Sequence, residues 1–224
     1  MRPITRRNRS EVAFSFVKKM IQKIRRIFWG VALVAVAGCG APPPPPEASD
    51  VTRLAVGIGA LGPEVDPEEA RRAAQVAYSY SHQLAQEYEI TDPPIIHNTK
   101  VNMGLKPRGL CWHWARDIEA RLKQENFQTL ELHRAVANSD NAFRLEHSTA
   151  VISRRGDTFA QGIVLDPWRK GGTLTWMPTK DDAWYNWEPR NEVVARQLER
   201  KHGQIVTVTK DQRIVMGQTE FRAQ

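Results

Sequence analysis

Between Asp66 and Tyr88 the chain repeats apolar residues at three- and four-residue steps: Ala73, Val76, Ala77, Tyr80, Leu84 and Tyr88. That spacing lays one apolar stripe along a helix. Its start is marked as well, with Asp66 placed as N-cap, Pro67 at the first helical position and Glu69 three residues after the cap. His82 reads as a surface or boundary residue of this helix. A second stripe, Trp114, Ala115, Ile118 and Leu122, begins just after Cys111, while Arg116, Asp117, Glu119, Lys123 and Gln124 take the other side. The spacing predicts a helix whose first turn holds Cys111. The stretch between the two, "ITDPPIIHNTKVNMGLKPRG", has prolines at 93, 94 and 107 and glycines at 104 and 109, and reads as a loop.

After "KQEN" the pattern becomes strand-like, in "FQTLELHRAVA" (127–137), "LEHSTAVIS" (145–153) and "TFAQGIVLDPW" (158–168), rich in apolar and β-branched residues. "RRGD" (154–157) reads as a hairpin turn between the second and third; its Arg-Gly-Asp tripeptide is common enough by chance that adhesion is not inferred. Residues 171–189 are aromatic and turn-rich, and Trp168, Trp176, Trp184 and Trp187 are expected to pack in the core rather than line a substrate cleft. "PRNEVVARQLERKHG" (189–203) reads as a helix with Val193, Val194 and Leu198 apolar and Gly203 positioned to end it. "QIVTVT" and "RIVMG" suggest a closing hairpin. Helices ahead of a mostly antiparallel sheet make the expected class α+β. No internal repeat is present.

A length of 224 residues, 41% hydrophobic and 25% charged, suits one soluble domain with appendages. The formal charge of +7 is misleading, because residues 1–38 hold nine Lys/Arg against Glu11 alone, leaving 23 basic and 24 acidic residues beyond. The body is near neutral, which argues against a nucleic-acid-binding surface. The basic segment "KKMIQKIRR" followed by the apolar run Ile27–Ala37 has the make-up of a secretory signal and is too short to span a bilayer. Met20 begins a better-proportioned leader and is a candidate true start. The run ends in Val36-Ala37-Gly38-Cys39, which resembles a bacterial lipobox and implies lipidation of Cys39. Lipid there would hold the protein at a membrane surface, since each buried CH₂ contributes about 0.8 kcal/mol. Gly40 rather than Asp follows, favouring the periplasmic face of an outer membrane over the inner membrane. Residues 39–50, with "APPPPPEASD", then form a lipidated, polyproline II spacer, read as a tether rather than as a ligand for proline-binding modules. The domain proper is expected over 51–224.

With Cys39 committed to lipid, Cys111 has no partner in the chain, so a disulfide is not its purpose. A helix N-terminus favours the thiolate, through its unpaired N–H groups and its dipole, and can present a backbone N–H to an oxyanion. A nucleophilic cysteine needs a base, usually His, and that imidazole needs an orienting acceptor. His147 in "LEHSTAVIS" and Asp166 in "VLDPW" lie on strands expected to be neighbours. A tight turn at 155–156 sets position 147 near 164 and leaves Asp166 about one residue pair away, within reach given a bulge at Gly162. His133 is the rival base, and His113, two residues from Cys111, reads as structural or exposed. No pair of residues has a convincing zinc spacing, so neither metal nor cofactor is expected.

Taken together, "GLCWHWA", "EH" opening a strand, and "VLDPW" resemble the core of the transglutaminase-like superfamily, with a papain-like fold, over roughly residues 105–170. The resemblance implies Cys111 as nucleophile, His147 as base and later acid, and Asp166 as orienter; Gly109, Trp112, Ala115 and Pro167 fall on its structural part. The chain departs from the pattern in three places. No aromatic residue follows the histidine closely. The arginine usual in the strand after the cysteine helix is not evident in "FQTLEL". A glutamine before the cysteine is missing, leaving Asn98, Asn102 or the Cys111 backbone to hold an oxyanion. Trp112 and Asn102 are the expected binding residues. The activity implied is cysteine-dependent hydrolysis of an amide in a peptide, protein or peptidoglycan of the cell envelope. The alternatives are acyl transfer to an amine, which crosslinks proteins, or a non-catalytic scaffolding lipoprotein.

Overall fold

In the computed structural model of the chain, the described residues are Met20, Gln22, Lys23, 42–200 and the backbone of Lys201, His202, Val206–Val208 and Ile214–Met216. Cys39, the rest of the expected signal and Gly203 lie outside them. No helix among the described residues is long and apolar enough to cross a membrane.

Both striped segments are helices. Pro67–Glu87 (α2) starts as expected, the Asp66 carboxylate accepting from the Glu68 and Glu69 N–H groups at 2.7 and 3.1 Å. Glu69 does not reach back to the cap. Its carboxylate instead accepts from Gln128 N, Thr129 N and Thr129 Oγ1 at 2.6, 2.8 and 2.6 Å, fastening the helix start to the segment that leads into the sheet. The second helix, Cys111–Lys123 (α4), buries Trp114, Ala115, Ile118 and Leu122, as its stripe requires. Removing a side chain such as Ile118 from water contributes about 2 kcal/mol.

Two further helices precede α4. Ala48–Gly59 (α1) begins inside the stretch read as a spacer and buries Leu54 and Ile58. Pro43, ahead of it, is half-buried and sits where a Cβ on Gly172 would come within 3.0 Å of its ring, so part of the proline run packs on the domain. Pro94–Asn102 (α3) occupies the stretch expected to be a loop. Pro94 stands in its first turn, where a missing N–H costs nothing because no intrahelical acceptor exists there.

The sheet is wholly antiparallel, with strands Leu130–Ala137 (β1), His147–Arg154 (β2), Ile163–Asp166 (β3), Thr175–Pro178 (β4) and Trp187–Pro189 (β5) in the order β4-β3-β2-β1-β5. The molecule is therefore α+β. One face, including Ala150, Ile152, Ile163 and Leu165, packs with the helices in the main core; the other carries Ala135, Val151, Val164 and Trp187. Arg190–His202 (α5) follows β5, and Val206–Val208 pairs antiparallel with Ile214–Met216.

The β2–β3 connection is not a tight hairpin. A 3₁₀ turn, Phe159–Gln161, lengthens it, closed by Gln161 Oε1 accepting from Thr158 N at 3.1 Å. The register is Ala150↔Leu165, Val151↔Val164 and Ile152↔Ile163, which carries position 147 opposite 168 rather than 164. Gly162 permits a close approach instead of a bulge, since a Cβ there would lie 2.6 Å from the Ile152 carbonyl oxygen.

Candidate active site

The chain enters α4 through Gly109, whose φ of +124° is open to glycine and strained for other residues, and where a Cβ would fall 2.4 Å from His97 Nε2. Around this turn the contacts are local. Gly109 O accepts from Trp114 Nε1 at 2.9 Å, and His113 Nδ1 accepts from the N–H groups of Gly109 and Leu110, each at 3.2 Å. Burial first, and then the charges of Arg108 and Arg116, push the His113 pKa down to about 4. His113 is thus a neutral brace for the helix start. Cys111 is the first helical residue, and its Sγ makes a long contact of 3.7 Å to the carbonyl oxygen of Glu146, the residue before His147.

Asp166 pairs across the sheet near Thr149, two residues along β2 from His147, so both side chains fall on one face. His147 Nε2 and Asp166 Oδ2 are 2.6 Å apart, and each side chain is 1% exposed. Burial lowers the imidazole pKa, but the Asp166 charge and hydrogen bond, with a smaller contribution from Cys111, overcome it and raise it to about 9. With Nε2 engaged by Asp166, Nδ1 is the nitrogen left to face the cysteine, and it has no protein hydrogen-bond partner. The ring is held by Trp168 and Tyr185, both with centroids at 4.6 Å, and by Trp187 at 5.4 Å.

Asp166 is itself fixed. Arg169 donates to it from its backbone N at 3.2 Å and from Nε at 3.0 Å, and grips Asp182 through a two-pronged contact at 3.2 and 2.6 Å. Asp182 also accepts from Trp187 Nε1 at 3.0 Å. Burial would raise the Asp182 carboxyl; Arg169 and Trp187 outweigh it and hold the group below its usual range. A chain of hydrogen bonds therefore runs from His147 through Asp166 and Arg169 to Asp182, and Cys111 stands near its head through the contact with Glu146, the residue before His147. Cys111, His147 and Asp166 were legible as types and positions in the sequence. Arg169 and Asp182 were not, because only the fold brings them together.

Cys111 is 8% exposed and lies on the wall of a cleft of about 560 Å³, within the range of small-ligand sites. Asn98, Asn102 and Trp112 line it too; Trp112 and Asn102 are exposed, and the Asn98 carbonyl oxygen accepts from Trp168 Nε1 at 3.0 Å, leaving its N–H₂ as the free donor. So does Arg134 of β1, two residues past the "FQTLEL" in which no arginine was found. The rival base His133 is hydrogen-bonded across the strands to Ser153 at 2.8 Å and takes no part in this group. Of the tryptophans, Trp168 and Trp187 flank the imidazole, Trp176 packs on the helical core with Nε1 3.1 Å from Tyr78 OH, and Trp184 is exposed. Among the described residues no group of three or more His, Cys, Asp or Glu side chains is placed to hold a metal ion.

No known family model, curated protein or solved structure matches this chain.

Proposed function

We propose that the domain is a papain-like, transglutaminase-like cysteine hydrolase that cleaves amide bonds through an acyl-enzyme. One observation carries the reading: a buried His147–Asp166 pair at 2.6 Å set beside a cysteine that opens a helix on the wall of a cleft. With an imidazole protonated up to about pH 9, His147 sets a cation close to the Cys111 sulfur, which acts as the nucleophile in its thiolate form. The thiolate attacks the amide carbon. The resulting oxyanion meets the Cys111 N–H, which has no acceptor within its helix, and the free N–H₂ of Asn98. As the C–N bond breaks, His147 gives its proton to the leaving amine and a thioester remains. Water then adds to the thioester, passing a proton to His147; the C–S bond breaks, and the carboxylic acid and the starting pair are regenerated.

An amine in place of water would make the same thioester a crosslinking intermediate. Hydrolysis is favoured because water is abundant and no amine-recognition feature lines the cleft. The secretory leader, the lipid on Cys39 and the proline segment belong to the same proposal and would hold the enzyme at the envelope, the periplasmic face of an outer membrane before the inner membrane. Its substrate would be a peptide, protein or peptidoglycan fragment.

The test is to incubate the protein with envelope proteins and with peptidoglycan fragments in the presence of an amine probe, and to read the products by mass spectrometry. New carboxyl termini that vanish with Cys111→Ala support hydrolysis. Probe incorporation would replace it with acyl transfer, and identical products from both proteins would leave a non-catalytic scaffold.

A further inference from the structure

The cleft beside Cys111 carries an excess of positive charge that the reaction just described does not use. Three arginines line it, Arg116, Arg134 and Arg190, against one acid, Glu146, whose carboxylate accepts from Gln197 Nε2 at 3.1 Å. Arg116 is already engaged, with Nε 3.0 Å from Asp117. Arg190 is not, and Arg134 only loosely. Arg190, the first residue of α5, is exposed and makes no ion pair among the described residues. Arg134 is more unusual: its side chain is only 13% exposed, its Nη1 stands 3.6 Å from Glu119, and that carboxylate is held more closely by Lys123 at 2.8 Å. Its Nε is buried with no hydrogen-bond partner at all.

A guanidinium so far from water and so thinly paired is destabilising unless something completes it. Burial disfavours the charged form of Arg134, Glu119 offsets that only in part, and the like charge of Arg190 adds to the cost. A single anion in the cleft would relieve both. The planar fork of arginine matches a carboxylate in a two-pronged geometry, whereas the cleft's remaining walls, Leu110, Val136, Val193 and Val194, suit an aliphatic stem.

We propose that this cleft recognises a carboxylate on the substrate, held by Arg134 and Arg190, so that the amide presented to Cys111 belongs to an acidic or carboxyl-terminal segment of a peptide. The assignment rests on the hydrolase reading above and gives its substrate class. It also bears on the second half-reaction: the two guanidiniums, Arg190 without an ion pair among the described residues and Arg134 only loosely held by Glu119, repel the ammonium of a lysine side chain, which favours water as the acyl acceptor.

The probes are iodoacetate and iodoacetamide, which differ by one charge. With both, the sulfur displaces iodide from the methylene carbon, so the ratio of their rates at Cys111 reports the anion preference of the cleft independently of the thiol's own reactivity. The ratio of the anionic to the neutral reagent in the full-length protein should fall about fivefold or more in Arg134→Gln and in Arg190→Gln. Arg190 is exposed, so its variant keeps the test available if Arg134→Gln does not fold. A ratio unchanged in Arg190→Gln and in any folded Arg134 variant overturns the anion site while leaving the hydrolase reading intact. Sluggish labelling by both reagents in the unaltered protein would overturn the two together. Protection of Cys111 from iodoacetamide by N-acetylglycine, or by N-acetylglutamate α-amide, but not by N-acetylglycinamide, then identifies the carboxylate as a chain terminus or an acidic side chain.

Discussion

Replacing Asp166 by Asn keeps the shape of the side chain and removes the charge that holds His147 protonated. In the native fold that imidazole titrates at about 9, against its ordinary 6.5. Its folded-state pKa lies above the unfolded value, so the linked stability is fully present below about 6.5 and is lost as pH rises through about 9. Each pH unit of that gap corresponds to about 1.4 kcal/mol, so the pair contributes on the order of 3 kcal/mol at acid to neutral pH. Without the carboxylate, burial, which lowers the pKa, is opposed only by the smaller contribution of Cys111. The Asp166→Asn protein should therefore lose roughly 3 kcal/mol more stability near pH 6 than above about pH 9.5, where only the weakened contacts with Arg169 still count. Urea unfolding at stepped pH, with the difference between the two proteins cancelling groups common to both, measures the loss. An NMR titration of the His147 ring locates the midpoint, expected well below 9 in the variant. A midpoint still near 9, or a difference in stability that does not shrink between neutral and alkaline pH, would refute the assigned origin of the shift.

Cys111→Ser should abolish amide cleavage with stability within about 1 kcal/mol of the parent, read by product analysis and urea unfolding. Arg169→Gln leaves Asp166 with fewer donors; kcat should fall about 10- to 100-fold with KM little changed, the His147 midpoint should move, and Arg169→Lys should recover part of the loss. Gly109→Ala forces a Cβ to within 2.4 Å of His97 at a positive φ, and should cost about 2 kcal/mol or more, lowering Tm by roughly 5 °C. Glu69→Gln leaves a neutral amide facing two backbone donors and one hydroxyl, and should cost about 1–3 kcal/mol in urea unfolding.

What was legible in the chain was whatever depends on local chemistry. The stripe from Ala73 to Leu84, the Asp66-Pro67 cap and the helix beginning at Cys111 follow from spacing alone, and so do the types of the Cys111, His147 and Asp166 group. What was missed depends on how distant pieces meet. The helix Ala48–Gly59 has its own stripe, with Leu54 and Ile58 buried, but the prolines before it drew its first three residues into the spacer, and the rest was given no element. Pro93 and Pro94 read as breakers, although a proline opens a helix as readily as it ends one. The register of β3 turned on a 3₁₀ turn secured by the side chain of Gln161, too weak a signal to weigh against an apparent hairpin tip. Arg169 and Asp182 stand thirteen positions apart with no motif between them, and Arg134 acquires its meaning only from the cleft it faces.

The pairing of the Cys111 sulfur with the His147 imidazole is tested most directly by the rate of Cys111 alkylation with iodoacetamide from about pH 5 to about pH 9, in the native protein and in His147→Ala. Rapid labelling near pH 6 that slows tenfold or so without the imidazole is the expected result. Equally slow labelling of both proteins across that range would show a sulfur that owes nothing to the ring beside it.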